Sequence, residues 1–433
     1  MTVTTRPTVV ILDDDPTGTQ AVADIAVITT SSPDALTWAF DTSPEGFFVL
    51  TNSRSLGECE MRALTLHIVD AVLKAAAGRP VRFVSRSDST LRGHIVAEVA
   101  AIADGMRAHG LAPERVVFAP AFPRAGRTTE GGVHHVREGG RVVPAHASHY
   151  ATDATFGYTT SSLQRLVVER SDGILDEGEV TVVPAGGPLA DALVDPATRW
   201  VVCDASNEDD LRHIADAVER ADPTGTATIV RCSPGLLPAL LHRPPSDQVR
   251  PQPPAVPESR GGLIVVGSHV AEATAQLRAL LTEPDVDLVT LDVEILVDID
   301  DTAVAEVVVP IVARVLERIE TRTVVLATTR SVHRWDDPQR SLAFARRVSS
   351  ALVETTRRVL DHAVVRFVIA KGGITSSDIT TRALGVERAI VSGRVGAGIA
   401  WHPVGAASDA PLVLVPGNIG DENGLRDALR SLR

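Results

Sequence analysis

With 433 residues, 44% of them hydrophobic and 22% charged, the chain is long enough for two or three domains and too apolar to be disordered. Its 42 Lys+Arg against 55 Asp+Glu give a formal net charge of -13, with no Lys/Arg-rich run. That balance excludes nucleic acid and anionic membrane surfaces as principal partners, because both select a basic face.

Met1 to Pro7 leads at once into a short apolar strand and three aspartates, so no signal peptide is expected. The predicted strands then run Thr8–Leu12, Phe47–Leu50, Val81–Ser85, Arg115–Phe118, Trp200–Cys203 and Thr228–Arg231, with helical periodicity over Glu58–Lys74, His94–Met106 and Glu208–Arg220 between them. From Arg243 to Arg260 the prolines of RPPSDQVRPQPPAVPESR forbid helix interior and sheet pairing, which predicts a semi-rigid linker over 243–260. Strands resume at Leu263–Val266, Val286–Leu291, Thr323–Ala327, Val364–Ile369 and Leu412–Val415, separated by helical stretches such as Asp301–Ile319 and Leu342–Leu360. Short Val/Ile runs alternating with helices are the pattern of a parallel sheet covered by helices. The expectation is two three-layer α/β domains, 1–242 and 261–433, with the active site in the cleft between them. No apolar run approaches the roughly 20 residues of a membrane span. Three cysteines far apart, Cys59, Cys203 and Cys232, give neither a disulfide ladder nor a CxxC knuckle, so a reduced cytoplasm is the expected compartment. Oligomeric state is left open, a homo-oligomer included.

Strand after strand is followed by small or charged groups, where open parallel sheets bind ligands. In ILDDDPTGTQ, Ile11 to Gln20, a buried strand ends in Asp13, Asp14 and Asp15, whose mutual repulsion costs stability unless a cation or a ligand hydroxyl offsets it. Such carboxylates can accept a hydroxyl proton or hold a metal. In SRSDSTLRGH, Ser85 to His94, Arg86 and Arg92 flank Asp88, Ser89 and Thr90, giving two planar forks for a carboxylate or phosphate beside hydroxyl donors; Arg54 in TNSRSL adds a third. PAFPRAGRTTEGGVHHV, Pro120 to Val136, reads as a long shaped loop, and His134, His135, His146 and His149 as ordinary loop histidines, since their spacing fits no metal pattern. VIAKGGITSSD, Val368 to Asp378, reads as a phosphate cradle in which glycines let backbone amides approach an anion at a helix start. Lys371 precedes its glycines, so it is not a Walker A loop; Lys74 is the only other lysine. GRVGAGIAWH, Gly393 to His402, lacks the third glycine of a dinucleotide fingerprint.

The ordered set DDPTG (Asp14 to Gly18), TNSRSL (Thr51 to Leu56), DSTLRG (Asp88 to Gly93), GRTTEGGVHHV, GSHVAEATAQL, KGGITS (Lys371 to Ser376) and PGNIG (Pro416 to Gly420) closely resembles the four-carbon acid sugar kinase family. The resemblance implies an N-terminal substrate domain, a C-terminal nucleotide domain, ATP and Mg²⁺ as cofactors and a small sugar acid such as threonate, erythronate or 3-oxo-tetronate as phosphoryl acceptor. It implies Asp14 as the base, Asp15 at a substrate hydroxyl or Mg²⁺, and Arg54, Arg86 and Arg92 on the acid's carboxylate, with Asp88 and Ser89 beside them. Ser268, Gly372, Gly373, Ile374, Thr375, Gly417 and Asn418 are implied to line ATP; the Mg²⁺ ligands are not assigned. The family more often has lysine at the place of Arg86 and asparagine at that of His94. A non-catalytic sugar-acid sensor and a nicotinamide-dependent oxidoreductase are the alternatives; a sensor does not need Asp14 and Asp15 beside an intact glycine turn, and an oxidoreductase needs a dinucleotide fingerprint.

Overall fold

The computed structural model describes residues 6–153, 155–246, 248–249, 260–330, 338–406, 408, 410–417 and 421–433. The fold is mixed α/β, and the chain forms two compact units, Met1–Pro245 and Ser246–Arg433. Among the described residues no helix is long and apolar enough to cross a membrane. Of the Pro-rich stretch 243–260, residues 247 and 250–259 lie outside the described residues. Its described ends are pinned locally: Arg243 Nη1 donates to the carbonyls of Ala23 and Asp24 at 3.0 and 2.8 Å, while Val249 N donates to Arg394 O at 2.8 Å.

In the first unit the strands are β1 (Thr8–Asp13), β2 (Ile25–Ile28), β3 (Gly46–Leu50), β4 (Val81–Arg86), β5 (Arg115–Ala119), β6 (Arg127–Glu130), β7 (Val133–Glu138), β8 (Arg141–Pro144), β9 (Val180–Val183), β10 (Trp200–Cys203) and β11 (Thr228–Cys232). Their order is β2-β3-β1-β4-β11-β5-β10-β9, every pairing parallel. β1 and β4 are buried along their whole length, as strands covered on both faces must be. β6, β7 and β8 form a separate antiparallel sheet.

That small sheet corrects the expectation of a long loop over Pro120 to Val136. Gly131 and Gly132, at φ 57 and 71, make the two-residue turn that β-branched or aromatic residues avoid. Asp204, just past β10, accepts both amides, Gly131 N at 2.6 Å and Gly132 N at 2.9 Å. The helices follow ordinary rules; Glu208–Ala221 is capped by Asn207, which accepts from Asp209 N and Asp210 N at 2.9 and 3.0 Å, and it buries Leu211, Ile214, Ala215 and Val218 on one stripe.

The second unit contains β12 (Leu263–Val266), β13 (Val286–Leu291), β14 (Thr323–Thr328), β15 (Val368–Lys371), β16 (Arg388–Val395), β17 (Gly398–Pro403) and β18 (Leu412–Val415). The order is β13-β14-β12-β15-β18-β17-β16, parallel up to β18 and antiparallel beyond it. GRVGAGIAWH therefore lies in the β16–β17 hairpin, which turns at Gly396, φ 55. The expected helix over Asp301–Ile319 is broken into Val304–Val307 and Val309–Ile319, where Pro310 removes a helical donor. The expected strand Val364–Ile369 begins four residues later, at Val368.

Candidate active site

Strand register builds the first half of the site. Asp13 ends β1 directly beside Arg86, which ends β4. On the other side Thr51 N and Thr51 Oγ1 donate to Asp13 O at 2.8 and 2.9 Å, which carries TNSRSL across the sheet edge. The carboxylates and guanidiniums gathered there interlock. Arg86 donates to an Asp13 carboxylate oxygen and to the Asp15 carbonyl, and its Nη1 lies 3.2 Å from Asp14 Oδ1. Arg54 donates through Nη2 to Asp14 Oδ1 at 3.0 Å and through Nε to Oδ2 at 3.3 Å. It also reaches Asp15 at 3.3 Å and Asp88 at 3.8 Å. Arg92 Nε donates to Asp88 Oδ2 at 2.6 Å. Asp15 Oδ1 accepts from Thr17 N and Thr17 Oγ1 at 2.8 and 2.6 Å, so it caps its own turn. Ser89 is buried in the same loop.

Electrostatics sort these acids. Burial raises the pKa of Asp14 from 3.8 to about 6, against the opposing pull of Arg54. Burial would also raise Asp88, but Arg54, Arg92 and Thr90 outweigh it and hold the group well below the usual carboxylate range. Asp14 is therefore the acid poised to exchange a proton near neutrality and Asp88 a fixed anion. Small residues make the room: a Cβ on Gly93, whose φ is 113, would lie 3.3 Å from Asp14 Oδ2, and one on Gly18 would overlap the Arg86 guanidinium.

The three arginines differ in availability. The side chains of Arg54 and Arg92 keep 21% and 20% exposure, whereas Arg86 keeps 3% and is lowered to about 9 by burial. Arg86 is thus spent on Asp13 and Asp14 and presents no open fork. Below it a further buried pair, Arg231 Nη1 to Glu98 Oε2 at 2.6 Å, takes Ser53 Oγ on the other Glu98 oxygen at 2.8 Å. Sequence reasoning missed Arg231, Glu98 and Asp153. Only the register of β4 with β11 and the fold of the following loop bring them here.

In the second unit β12, β15 and β18 end level, with Val266 beside Lys371 and Lys371 beside Val415. Gly372, φ 117, caps the helix Gly373–Asp378 and donates to Val415 O at 2.9 Å. Ser268, Gly372 and Gly417 converge: a Cβ on Gly372 would lie 3.2 Å from Ser268 Cβ, and one on Gly417 3.3 Å from Ser268 Oγ. Thr375 is buried against this turn, Gly373 is half-buried, and Ile374 is 66% exposed. Asn418 lies outside the described residues. Two cations that the sequence did not assign flank the turn. Lys371 is fully buried, donates Nζ to Pro416 O, and is lowered to about 8 by burial. Arg330 Nη1 donates to Ser268 O at 2.7 Å, and its other bonds also go to β-strand carbonyls and the Thr328 hydroxyl. Neither pairs with a carboxylate among the described residues, in contrast to Arg54, Arg86 and Arg92.

Comparison with known proteins bears on both halves. Residues 9–240 match the family model of a sugar-binding N-terminal domain, and residues 263–425 that of a nucleotide-binding C-terminal domain. Over 260 residues the chain is 27% identical to a D-erythronate kinase of Heliobacterium modesticaldum, covering 58% of this chain and 53% of that protein. Over 195 residues it is 31% identical to a D-threonate kinase of Cupriavidus necator, covering 44% and 43%. The chain thus spans about half the length of the curated relatives it matches. Two crystal structures share its fold. A Salmonella typhimurium LT2 chain labelled a tRNA synthase aligns with TM-score 0.73 and 18% identity over 98% of this chain and 100% of that one. Haemophilus influenzae protein HI1011 aligns with TM-score 0.65 and 16% identity over the same shares. At such identities the likeness speaks for the fold alone. The two domain matches, with the erythronate and threonate kinase relatives, show that the chain belongs to the four-carbon acid sugar kinase family.

Proposed function

We propose that the protein transfers a phosphoryl group from ATP to the terminal (C4) hydroxyl of a four-carbon sugar acid such as a threonate, erythronate or 3-oxo-tetronate. The observation that carries this reading is Asp14, a buried carboxylate raised to about 6 whose two oxygens are both gripped by Arg54. A base must be ionised at working pH yet basic enough to take a hydroxyl proton, and this one meets both needs. In this reading Asp14 accepts the hydroxyl proton, Arg54 aims its two oxygens, and Arg54 and Arg92 receive the acid's carboxylate through their exposed edges. Asp88 and Ser89 bind its hydroxyls, with Asp15 beside them. Arg86 we assign to neutralising Asp13 rather than to the carboxylate.

The nucleotide phosphates are assigned to Ser268, Gly372, Gly373, Thr375 and Gly417, with Ile374 as exposed apolar surface beside them. Gly372 and Gly417 let the turn pack closely on Ser268, and Lys371 and Arg330, neither of which is in a salt bridge among the described residues, bias the region toward polyanions. Mg²⁺ bound with ATP offsets phosphate charge and needs only one or two protein carboxylates. Among the described residues no group of three or more His, Cys, Asp or Glu side chains is arranged around one point. Asp15, whose Oδ2 is engaged by Arg54 at 3.3 Å and by no other side chain among the described residues, is the carboxylate that fits such a limited role.

Coupled ADP release over a panel of four-carbon acids tests the reading. Turnover with at least one acid, dependent on Mg²⁺, is the expected result, and no turnover with any polyhydroxy acid removes it. A second test isolates the nucleotide half. Gly372→Val puts a branched side chain at φ 117 against Ser268 and Thr375. It should weaken ATP binding by about tenfold or more, measured by calorimetry with a non-hydrolysable ATP analogue. Unchanged affinity would detach this turn from the nucleotide.

A further inference from the structure

The loop that carries Asp88, Ser89 and Arg92 is strained. Leu91 sits at φ 67, in the left-handed region that branched aliphatic side chains avoid, and Gly93 at φ 113. Such a conformation persists only where its surroundings over-determine it. Arg54 reaches Asp88 and Leu56 O meets the His94 ring, but the backbone carbonyls before Leu91 are met by one stretch of chain, the β6–β8 sheet and the segment after it. His134 on β7 is fully buried, and its Nε2 lies 2.8 Å from Ser89 O. A carbonyl only accepts, so Nε2 carries the proton; Nδ1 then accepts from Thr129 Oγ1 at 2.9 Å. Burial pushes His134 down to about 4, so the ring stays neutral and in this tautomer. Tyr158, also buried, donates its hydroxyl to the next carbonyl, Thr90 O, at 2.8 Å. Asp153 lies 3.6 Å from Arg92 Nη1, and Tyr150 stacks 5.2 Å from the same guanidinium. Phe156 meets His94 edge-on at 5.0 Å.

Two buried donors thus hold the two consecutive carbonyls that precede the strained Leu91. We infer that the β6–β8 sheet and its following segment are a clamp on the acceptor loop, with His134 and Tyr158 as positioning residues that set the geometry of Asp88, Ser89 and Arg92 without touching the substrate. The inference rests on the assignment of that loop to the acid. It gives GRTTEGGVHHV a purpose: the Gly131–Gly132 turn, fixed by Asp204, delivers His134 to Ser89.

The test uses the full-length protein and the variants His134→Phe, His134→Gln and Tyr158→Phe. Phenylalanine at 134 roughly keeps the volume and removes both polar contacts, whereas the Gln amide reaches as far as Nε2 and keeps a donor for Ser89 O. Hydrogen–deuterium exchange is read over peptides covering 86–94, and kinetics over both substrates. His134→Phe and Tyr158→Phe should each speed exchange of the 89–93 amides by about tenfold or more while the helix Ile95–Ala108 stays within about twofold of wild type. The KM for the acid should rise about tenfold with that for ATP within about twofold, and His134→Gln should recover most of the loss. Unchanged exchange in the loop, exchange raised uniformly through the unit, or an acid KM within about twofold of wild type overturns the clamp. Should the wild type itself turn over no acid, the kinase reading fails while the exchange measurement still decides the clamp.

Discussion

Asp14→Asn should lower turnover by about 10²–10⁴-fold and at the same time raise the melting temperature at pH 8. The two effects share one cause. The folded-state pKa of Asp14 stands at about 6 against an ordinary 3.8, because burial disfavours the charged form more than Arg54 favours it. A raised carboxylate pKa means that the fold prefers the neutral acid. That preference is fully present below 3.8 and is lost as pH rises through about 6, above which the ionised group costs the fold about 3 kcal/mol. Asparagine copies the neutral form at every pH. It leaves Arg54 with Asp15 at 3.3 Å and Asp88 at 3.8 Å, and Arg86 with Asp13, so no cation is stranded. The stability gain over wild type should therefore be largest at pH 8 and narrow by about half at pH 5. Wild-type kcat/KM should fall on the acid side with an apparent pKa near 6. A variant with near-normal turnover removes Asp14 as base. A melting-temperature difference of the opposite sign, or one that does not change with pH, removes the buried-charge account.

The sequence displayed the frame of this site more fully than its wiring. Apolar runs such as Val81–Ser85 and Leu263–Val266 announce buried parallel strands because both faces of such strands are covered, so their polar ends point to the binding edge. DDD, NSR and SDSTLR were visible as charged ends, but which carboxylate meets which guanidinium depends on pairing between strands that are 73 residues apart at Asp13 and Arg86. No local pattern encodes that, and three arginines that looked alike divide into two with an exposed edge and one buried. The β6–β8 sheet was missed for another reason. Its signal, two glycines between TTE and VHHV, is present in the sequence, but the flanking prolines and arginines are equally the composition of a loop. The place of His134 is hidden with it, since a strand position facing the Ser89 loop is not legible from a pair of histidines.

Arg86 and Gly18 should prove coupled, and the coupling separates a structural guanidinium from a substrate fork. The Arg86 guanidinium fills the space where a Cβ on Gly18 would stand, and it is held there by Asp13, which is fully buried. Asp13 Oδ2 and Arg86 Nε make no hydrogen bond among the described residues, so the contact of Arg86 Nη2 with the other Asp13 oxygen is the main compensation for two buried charges. Arg86→Met should then destabilise the protein by about 3–5 kcal/mol, because it leaves Asp13 buried without a counter-charge. Gly18→Ala needs no unusual backbone angle, yet its methyl group displaces the guanidinium and should cost a comparable share of that energy. Arg86→Lys keeps a positive charge on a thinner stem. In that background the same methyl group has room, and Gly18→Ala should cost less by about 1–3 kcal/mol than in the wild type. Urea denaturation of the two single variants and the double variant measures the cycle. If Arg86 instead held the acid's carboxylate, Arg86→Lys would raise the acid KM by about tenfold or more through loss of the planar fork, with little change in stability. Additive costs in the cycle together with such a KM effect would return Arg86 to the substrate, while a strong coupling with the acid KM nearly unchanged leaves it as the internal cation that lets three successive aspartates end one buried strand.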